Sequence, residues 1–203
     1  MISFESVSHD IGNTRIFSDL GLCVNENEKV LILGKSGLGK TSLFRLILGF
    51  EQPEAGQIRV NGLDLDKNNI HRIRQQIFYL SQDIDLKNGV ILELLTDIWE
   101  FNFSKELSRE ELNKQLSFLE LSQDILGKRT NDLSGGERQR IGLLIGFLLD
   151  RPIWLLDEPT SALDDAMKKK IADHILSLDK TCVIISHDHG WQDNSNIRIE
   201  RWS

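Results

Sequence analysis

The sequence predicts an α/β fold with a parallel sheet at its centre, an antiparallel β edge subdomain at the start of the chain, and an inserted helical subdomain. Three observations predict it. Short, continuously apolar runs, "KVLILG", "IWLLD" and "TCVIIS", alternate with helical stretches, as strands buried on both faces of a parallel sheet do. A glycine-rich loop, "GKSGLGKT", joins the first of these runs to a helix. From Leu86 to Asp132 strand signals vanish and helical spacing with charged faces takes over.

In chain order, "ISFESV" alternates as a strand and "RIFSDLGLCV" follows as a second, the pair forming the antiparallel edge. "KVLILG" is the first core strand, and "KTSLFRLILGF" beyond the glycine loop is a helix that stops near Gly49. "GQIRV" and "QIFYLS" read as strands, with the basic helical stretch "NNIHRIRQQ" between them. The insertion holds "GVILELLTDIWEF", "SREELNKQLSFLEL" and "SQDILG", all with helical spacing, and "SREE" is a capping box. A helix to about Leu149, the strand "IWLLD", a helix from Asp165 and the strand "TCVIIS" close the pattern. The division expected is one domain, its core in residues 1–85 and 134–203 and its helical subdomain in about 86–133.

Bulk properties exclude several classes. A net charge of −7 argues against a non-specific nucleic-acid binder. The longest apolar run, "IGLLIGFLL", has nine residues, where a membrane span needs about twenty. "MISFESVSHD" lacks the basic and apolar regions of a signal peptide. Cys23 and Cys182 lie far apart in apolar runs and are read as buried thiols in a reducing compartment.

The glycine loop fits G-x-x-x-x-G-K-[ST] between a buried strand and a helix, which makes the core that of a P-loop NTPase. Gly34, Lys35, Ser36, Gly37, Leu38 and Gly39 would wrap phosphates with their N–H groups. Lys40 would reach the β- and γ-phosphates, Thr41 would ligate Mg²⁺, and Ser42 would add a donor for the α-phosphate. "IWLLDEP" ends a strand in two acids: Asp157 would hold Mg²⁺ and Glu158 would polarise the attacking water. His187, in "SHD", follows another strand and would meet a ligand at the sheet edge. A metal pair of His187 and His189 has no third ligand nearby in sequence. "LSGGERQR" places two glycines in front of a helix that Asp132 or Ser134 can cap. Capping needs no second glycine, so main chain is expected to approach something closely there.

The order "GKSGLGKT", "YLSQD", "LSGGERQR", "IWLLDEPTSALD", "SHD" resembles the nucleotide-binding subunit of an ATP-binding cassette (ABC) transporter over almost the whole chain. The resemblance implies an ATPase whose two copies sandwich two ATP molecules head to tail. Ser134, Gly135 and Gly136 would then bind the γ-phosphate of the ATP held by the partner copy. Gln82 would couple Mg²⁺ and the attacking water to the helical subdomain, His187 would contact the γ-phosphate, and Asp164 would touch the facing copy. The implied partners are a second copy on ATP binding and an integral-membrane permease, with no direct nucleic acid. The implied location is the cytoplasmic face of the cell membrane, reached through the permease.

Three features depart from the family pattern. Ile11 stands where relatives place an aromatic to stack on adenine, with Phe17 and His9 as candidate substitutes. Ile145 stands where an Arg is frequent, and the chain ends sixteen residues after His187, room for one strand, "IRIERW". Trp99, Phe101 and Phe103 are either a permease contact or the insertion's own core. The rival readings are a soluble ABC ATPase acting on ribosomes or DNA, and a small-molecule P-loop kinase. Ribosome and DNA relatives carry two cassettes, a long coiled coil or zinc-binding cysteines. The kinase reading leaves "LSGGE" and "SHD" without a role.

Overall fold

A computed structural model describes residues 2–35, 37–104, 106–192 and 194–202. Ser36 lies outside these residues. Strands β1 (Ile2–Ile11) and β2 (Thr14–Val24) form a hairpin, followed by β3 (Lys29–Leu33) and helix α1 (Lys40–Ile47). Next come β4 (Ala55–Val60), the short β5 (Leu63–Asp64), α2 (Ile70–Arg74) and β6 (Ile77–Leu80). Helices α3 (Ile91–Asn102) and α4 (Arg109–Phe118) lead to the long α5 (Gly135–Leu149). The chain continues through β7 (Ile153–Asp157), α6 (Asp165–Ser177), β8 (Thr181–Ile185) and β9 (Arg198–Arg201).

Two sheets result. One is antiparallel in the order β2-β1-β4-β5, and the other runs β6-β7-β8-β3-β9 with every pairing parallel. The parallel sheet is covered on both faces, which is why its strands are apolar without alternation. Leu31, Trp154, Leu156, Cys182 and Ile184 point into a core shared with α3, α4, α5 and α6. Val30, Ile32, Ile153, Leu155, Val183 and Ile185 point the other way, onto α1 and the antiparallel sheet. Gly142 and Gly146 let α5 lie against β6: a side chain at Gly146 would collide with the Phe78 ring, and one at Gly142 would stand 2.7 Å from Leu80.

Two of the three helical stretches expected over residues 86–133 form as their periodicity predicts, α3 and α4, with Ser108 capping α4 by accepting from the Glu111 N–H at 3.3 Å. "SQDILG" departs from it. Gln123–Gly127 is a 3-10 turn, too short a segment to sustain an α-helix. A second correction concerns the cysteines. Cys182 is buried, and burial pushes its thiol up to about 12, but Cys23 is exposed. In β2, Leu22 and Val24 face inward, so the period of two turns Cys23 to solvent. Both thiols are free. Among the described residues, no helix is long and apolar enough to cross a membrane.

Candidate functional site

Strand register explains how residues distant in sequence meet. Leu80 pairs with Leu156, Asp157 with Ile185, and Ile185 with Ile32. The C-terminal ends of β6, β7, β8 and β3 are therefore level. The loop after Leu33, Gln82, the Asp157–Glu158 pair and the Ser186–His187 pair all leave one sheet edge.

In the glycine loop, Gly37 (φ 87°) and Gly39 (φ 81°) are left-handed, a conformation L side chains rarely adopt. A side chain at Gly39 would also collide with Ile16, so the loop is pressed onto β2. Lys40 opens α1 and is buried, and its ammonium donates to the carbonyls of Gly34 (2.6 Å) and Lys35 (2.8 Å). Buried Ser42 follows on the first turn of α1, while Leu38 is half-buried and Lys35 exposed. The Thr41 hydroxyl donates to Asp157 Oδ2 at 3.0 Å. Burial raises the Asp157 carboxyl above the usual range; Glu158 and Asp83 push it the same way, against the Thr41 hydrogen bond and Lys40.

Glu158 has a left-handed backbone (φ 49°), which costs a non-glycine residue about 1–3 kcal/mol. Its carboxylate accepts from Ser186 Oγ at 3.2 Å and from the His187 N–H at 3.4 Å. The exposed His187 ring holds Nε2 3.8 Å from Glu158 Oε1. Gln82 leaves the same edge on the side of α5. It lines a cavity of about 380 Å³ with Asp83, Gly135, Arg138, Gln139 and Ser161. Among the described residues, no hydrogen bond joins it to Thr41 or Asp157.

Ser134 caps α5 in a complete capping box: its hydroxyl accepts from the Glu137 N–H (3.2 Å), and the Glu137 carboxylate accepts from the Ser134 N–H (2.9 Å). A hydrogen bond from Lys128 and these Ser134 contacts hold the Glu137 carboxyl down at about 2. The two glycines differ. A Cβ on Gly136 would meet the Ala162 carbonyl at 3.1 Å, whereas Gly135 has only the Ala162 methyl at 3.9 Å. Close packing within the chain explains Gly136; Gly135 stays open. Asp164 caps α6 by accepting from the Met167 N–H at 3.0 Å.

Some residues that shape the site stand inside the quoted motifs yet take no role from them. Ser186 is one, and the buried Gln139 another. A third group is Thr160, whose hydroxyl donates to Asp188 (3.2 Å) and accepts from the Trp191 indole (3.2 Å). The signal for Gln139 was a polar residue three before Gly142 and seven before Gly146, on the face of α5 that packs inward.

A P-loop ATPase edge is thus combined with a second, capped glycine helix start. The family model described as ABC transporter matches residues 17–161, and the chain belongs to that family. It is an ATP-binding cassette, the ATPase component of these transporters. It is 36% identical over 197 residues to the lactococcin-A transport/processing ATP-binding protein LcnC of Lactococcus lactis, covering 92% of this chain and 27% of that protein. It is 30% identical over 194 residues to the ergothioneine transport ATP-binding protein EgtV of Helicobacter pylori, covering 93% of this chain and 90% of that protein. The chain thus spans about a quarter of LcnC and nearly all of EgtV. Its fold matches the dimeric structure of MJ0796, a bacterial ABC transporter cassette, with TM-score 0.85 and 26% identity over 99% of this chain and 94% of that one. It also matches the post-hydrolysis dimer of MJ0796 bound to ADP and Pi, with TM-score 0.80 and 27% identity over 93% and 88%.

Proposed function

We propose that two copies of this chain hydrolyse ATP in head-to-tail sites and so drive an integral-membrane transport subunit at the cytoplasmic face of a membrane. The observation that carries the reading is the separation of the two glycine segments. Lys40, Thr41, Asp157, Glu158 and His187 gather at one edge. No hydrogen bond or ion pair among the described residues joins Ser134, Gly135 or Gly136 to that loop. Gly135 and Ser134 are exposed at the start of a capped helix; with the Ser134 N–H taken by Glu137, the Gly135 N–H and the Ser134 hydroxyl are the groups to donate to a phosphate brought by another copy.

The residues fit ATP and Mg²⁺. Glycine N–H groups, the α1 N-terminus and Lys40 form an anion cradle, in which phosphate oxygens would replace the Gly34 and Lys35 carbonyls as Lys40's acceptors. Thr41 and Asp157 supply adjoining hard oxygens of the type Mg²⁺ takes. A Mg²⁺ held by Thr41 and Asp157 would supply positive charge against the negative charge of the phosphates. Glu158, as general base, takes a proton from the attacking water. His187 donates to the γ-phosphate, and Gln82 reports its presence to the helical subdomain (about 86–133), where the membrane subunit docks. Asp164 faces the other copy.

Replacing Glu158 with Gln tests the base. Turnover should fall at least a hundredfold, within the range for a positioned general base, while ATP affinity holds. An ATP-dependent dimer should then accumulate on size exclusion. Hydrolysis at the wild-type rate would remove Glu158 from the role.

A further inference from the structure

We propose that Gln139 is a positioning residue for hydrolysis: it holds the Glu158 peptide in its left-handed conformation and registers it to the helix that carries Ser134, Gly135 and Gly136. The proposal rests on Glu158 being the general base.

Gln139 lies one turn into α5 and is 4% exposed. Its side-chain hydrogen bonds all go to one stretch of loop. Nε2 donates to the Glu158 carbonyl at 2.7 Å and to Ser161 Oγ at 3.4 Å, while Oε1 accepts from the Ala162 N–H at 2.7 Å. The Glu158 carbonyl also accepts from Ser161 Oγ at 3.1 Å. On the other side, the Glu158 N–H donates to the Ile185 carbonyl at 2.8 Å. The peptide before Glu158 is thus tied to the sheet and the peptide after it to α5. A left-handed Glu persists only where its surroundings over-determine it. With both peptides fixed, the Cβ has one direction to point, toward Ser186 and His187.

Gly136, three residues before Gln139, packs within 3.1 Å of the Ala162 carbonyl as measured from an added Cβ. Helix start and loop therefore move together. In the head-to-tail arrangement Glu158 acts on the nucleotide in the chain's own loop, and Ser134–Gly136 face the nucleotide of the other copy. One side chain, Gln139, joins the two.

The test is steady-state ATPase kinetics of the purified chain with Gln139→Ala, Ser161→Ala and Glu158→Gln. Gln139→Ala should lower kcat about ten- to a hundredfold, the scale of a small misplacement of a catalytic group, with KM within about twofold of wild type. Ser161 is exposed, so Ser161→Ala folds, and it should lower kcat less, also without moving KM. The doubly substituted Glu158→Gln, Gln139→Ala chain should still form the ATP-dependent dimer. A wild-type kcat in Gln139→Ala, alongside an inactive Glu158→Gln, overturns the proposal and leaves the base in place. A loss concentrated in KM, or loss of the dimer, also overturns it, because Gln139 would then act on binding. If Gln139→Ala fails to fold, Ser161→Ala decides: a lowered kcat at unchanged KM supports the clamp, and an unchanged kcat refutes it. An active Glu158→Gln chain refutes the underlying reading instead.

Discussion

At the scale of single residues, Ile11 shows what a missing ring leaves behind. It stands 48% exposed at the end of β1, beside the turn to Thr14. Neither aromatic substitute is free to stack on a base. His9 is buried with Nε2 2.9 Å from Glu51, and Phe17 is buried edge-on against Trp202 at 5.5 Å. Losing aromatic stacking forfeits about 0.5–1.5 kcal/mol, and about 1.4 kcal/mol is tenfold in affinity. ATP should bind up to about tenfold more tightly to an Ile11→Tyr chain, and GTP should compete nearly as well as ATP with the wild type. Titrating both nucleotides into both chains checks this. Strong ATP preference in the wild type, unmoved by Tyr, would transfer the base to another wall, with the half-buried Trp202 beside Leu38 the first to examine. Residue identity was legible in the motifs here, but rotamer and backbone were not. Nothing in "DEP" announces a left-handed Glu158, because its peptides are held by Ile185 of β8 and Gln139 of α5, both remote in sequence, with Ser161 of the same loop beside them.

At the scale of elements, α3 separates three aromatics that sequence proximity had grouped. Ile91, Leu95 and Trp99 recur every four residues and form the buried stripe. Trp99 packs on Phe103 with ring centroids 4.2 Å apart, so these two belong to the insertion's own core. Phe101, two residues on and about 200° around a helix of 3.6 residues per turn, is 89% exposed. The period already contained this distinction; reading the three rings as one cluster overrode it. If a membrane subunit docks on the insertion, Phe101 is the exposed ring that α3 offers it. Phe101→Ala should weaken stimulation of ATPase activity by that subunit, with a loss of about 1–2 kcal/mol in its binding, and leave the melting temperature of the isolated chain unchanged. Trp99→Ala should instead destabilise the isolated chain by about 3–5 kcal/mol. Co-purification with the membrane subunit and a thermal melt of each variant separate the two. Equal stimulation of wild type and Phe101→Ala would clear that face of a docking role.

At the scale of the molecule, the sheet edge concentrates negative charge where burial opposes it. The alternation of strands and helices made this edge legible in advance, since a parallel sheet delivers every strand's C-terminal residue to one side. What no local pattern carried was the burial of Asp157, which shares the face of Ile153 and Leu155 toward α1 and meets Thr41 there. Its carboxyl is raised chiefly by that burial, with Glu158 and Asp83 adding to it. A carboxyl whose folded pKa lies above its unfolded value contributes stability below the unfolded value, 3.8 for Asp. That contribution is lost as pH rises through the folded value. Above its folded value, then, the Asp157 carboxylate destabilises the nucleotide-free chain, and a cation held by it and Thr41 would offset the cost. Asp157→Asn keeps an acceptor for Thr41 and removes the charge. It should raise the melting temperature of the free chain at pH 7, and the gain should shrink as pH falls toward the unfolded value of 3.8, because protonating the native carboxyl removes the same charge. For a domain of this size about 1 kcal/mol corresponds to roughly 2–4 °C, which calorimetry resolves. The same substitution should abolish Mg²⁺-dependent hydrolysis and the Mg²⁺-dependent part of ATP stabilisation. A free chain less stable than wild type at pH 7 would show that Asp157 is held there by favourable contacts, and that the edge carries no charge strain for Mg²⁺ to relieve.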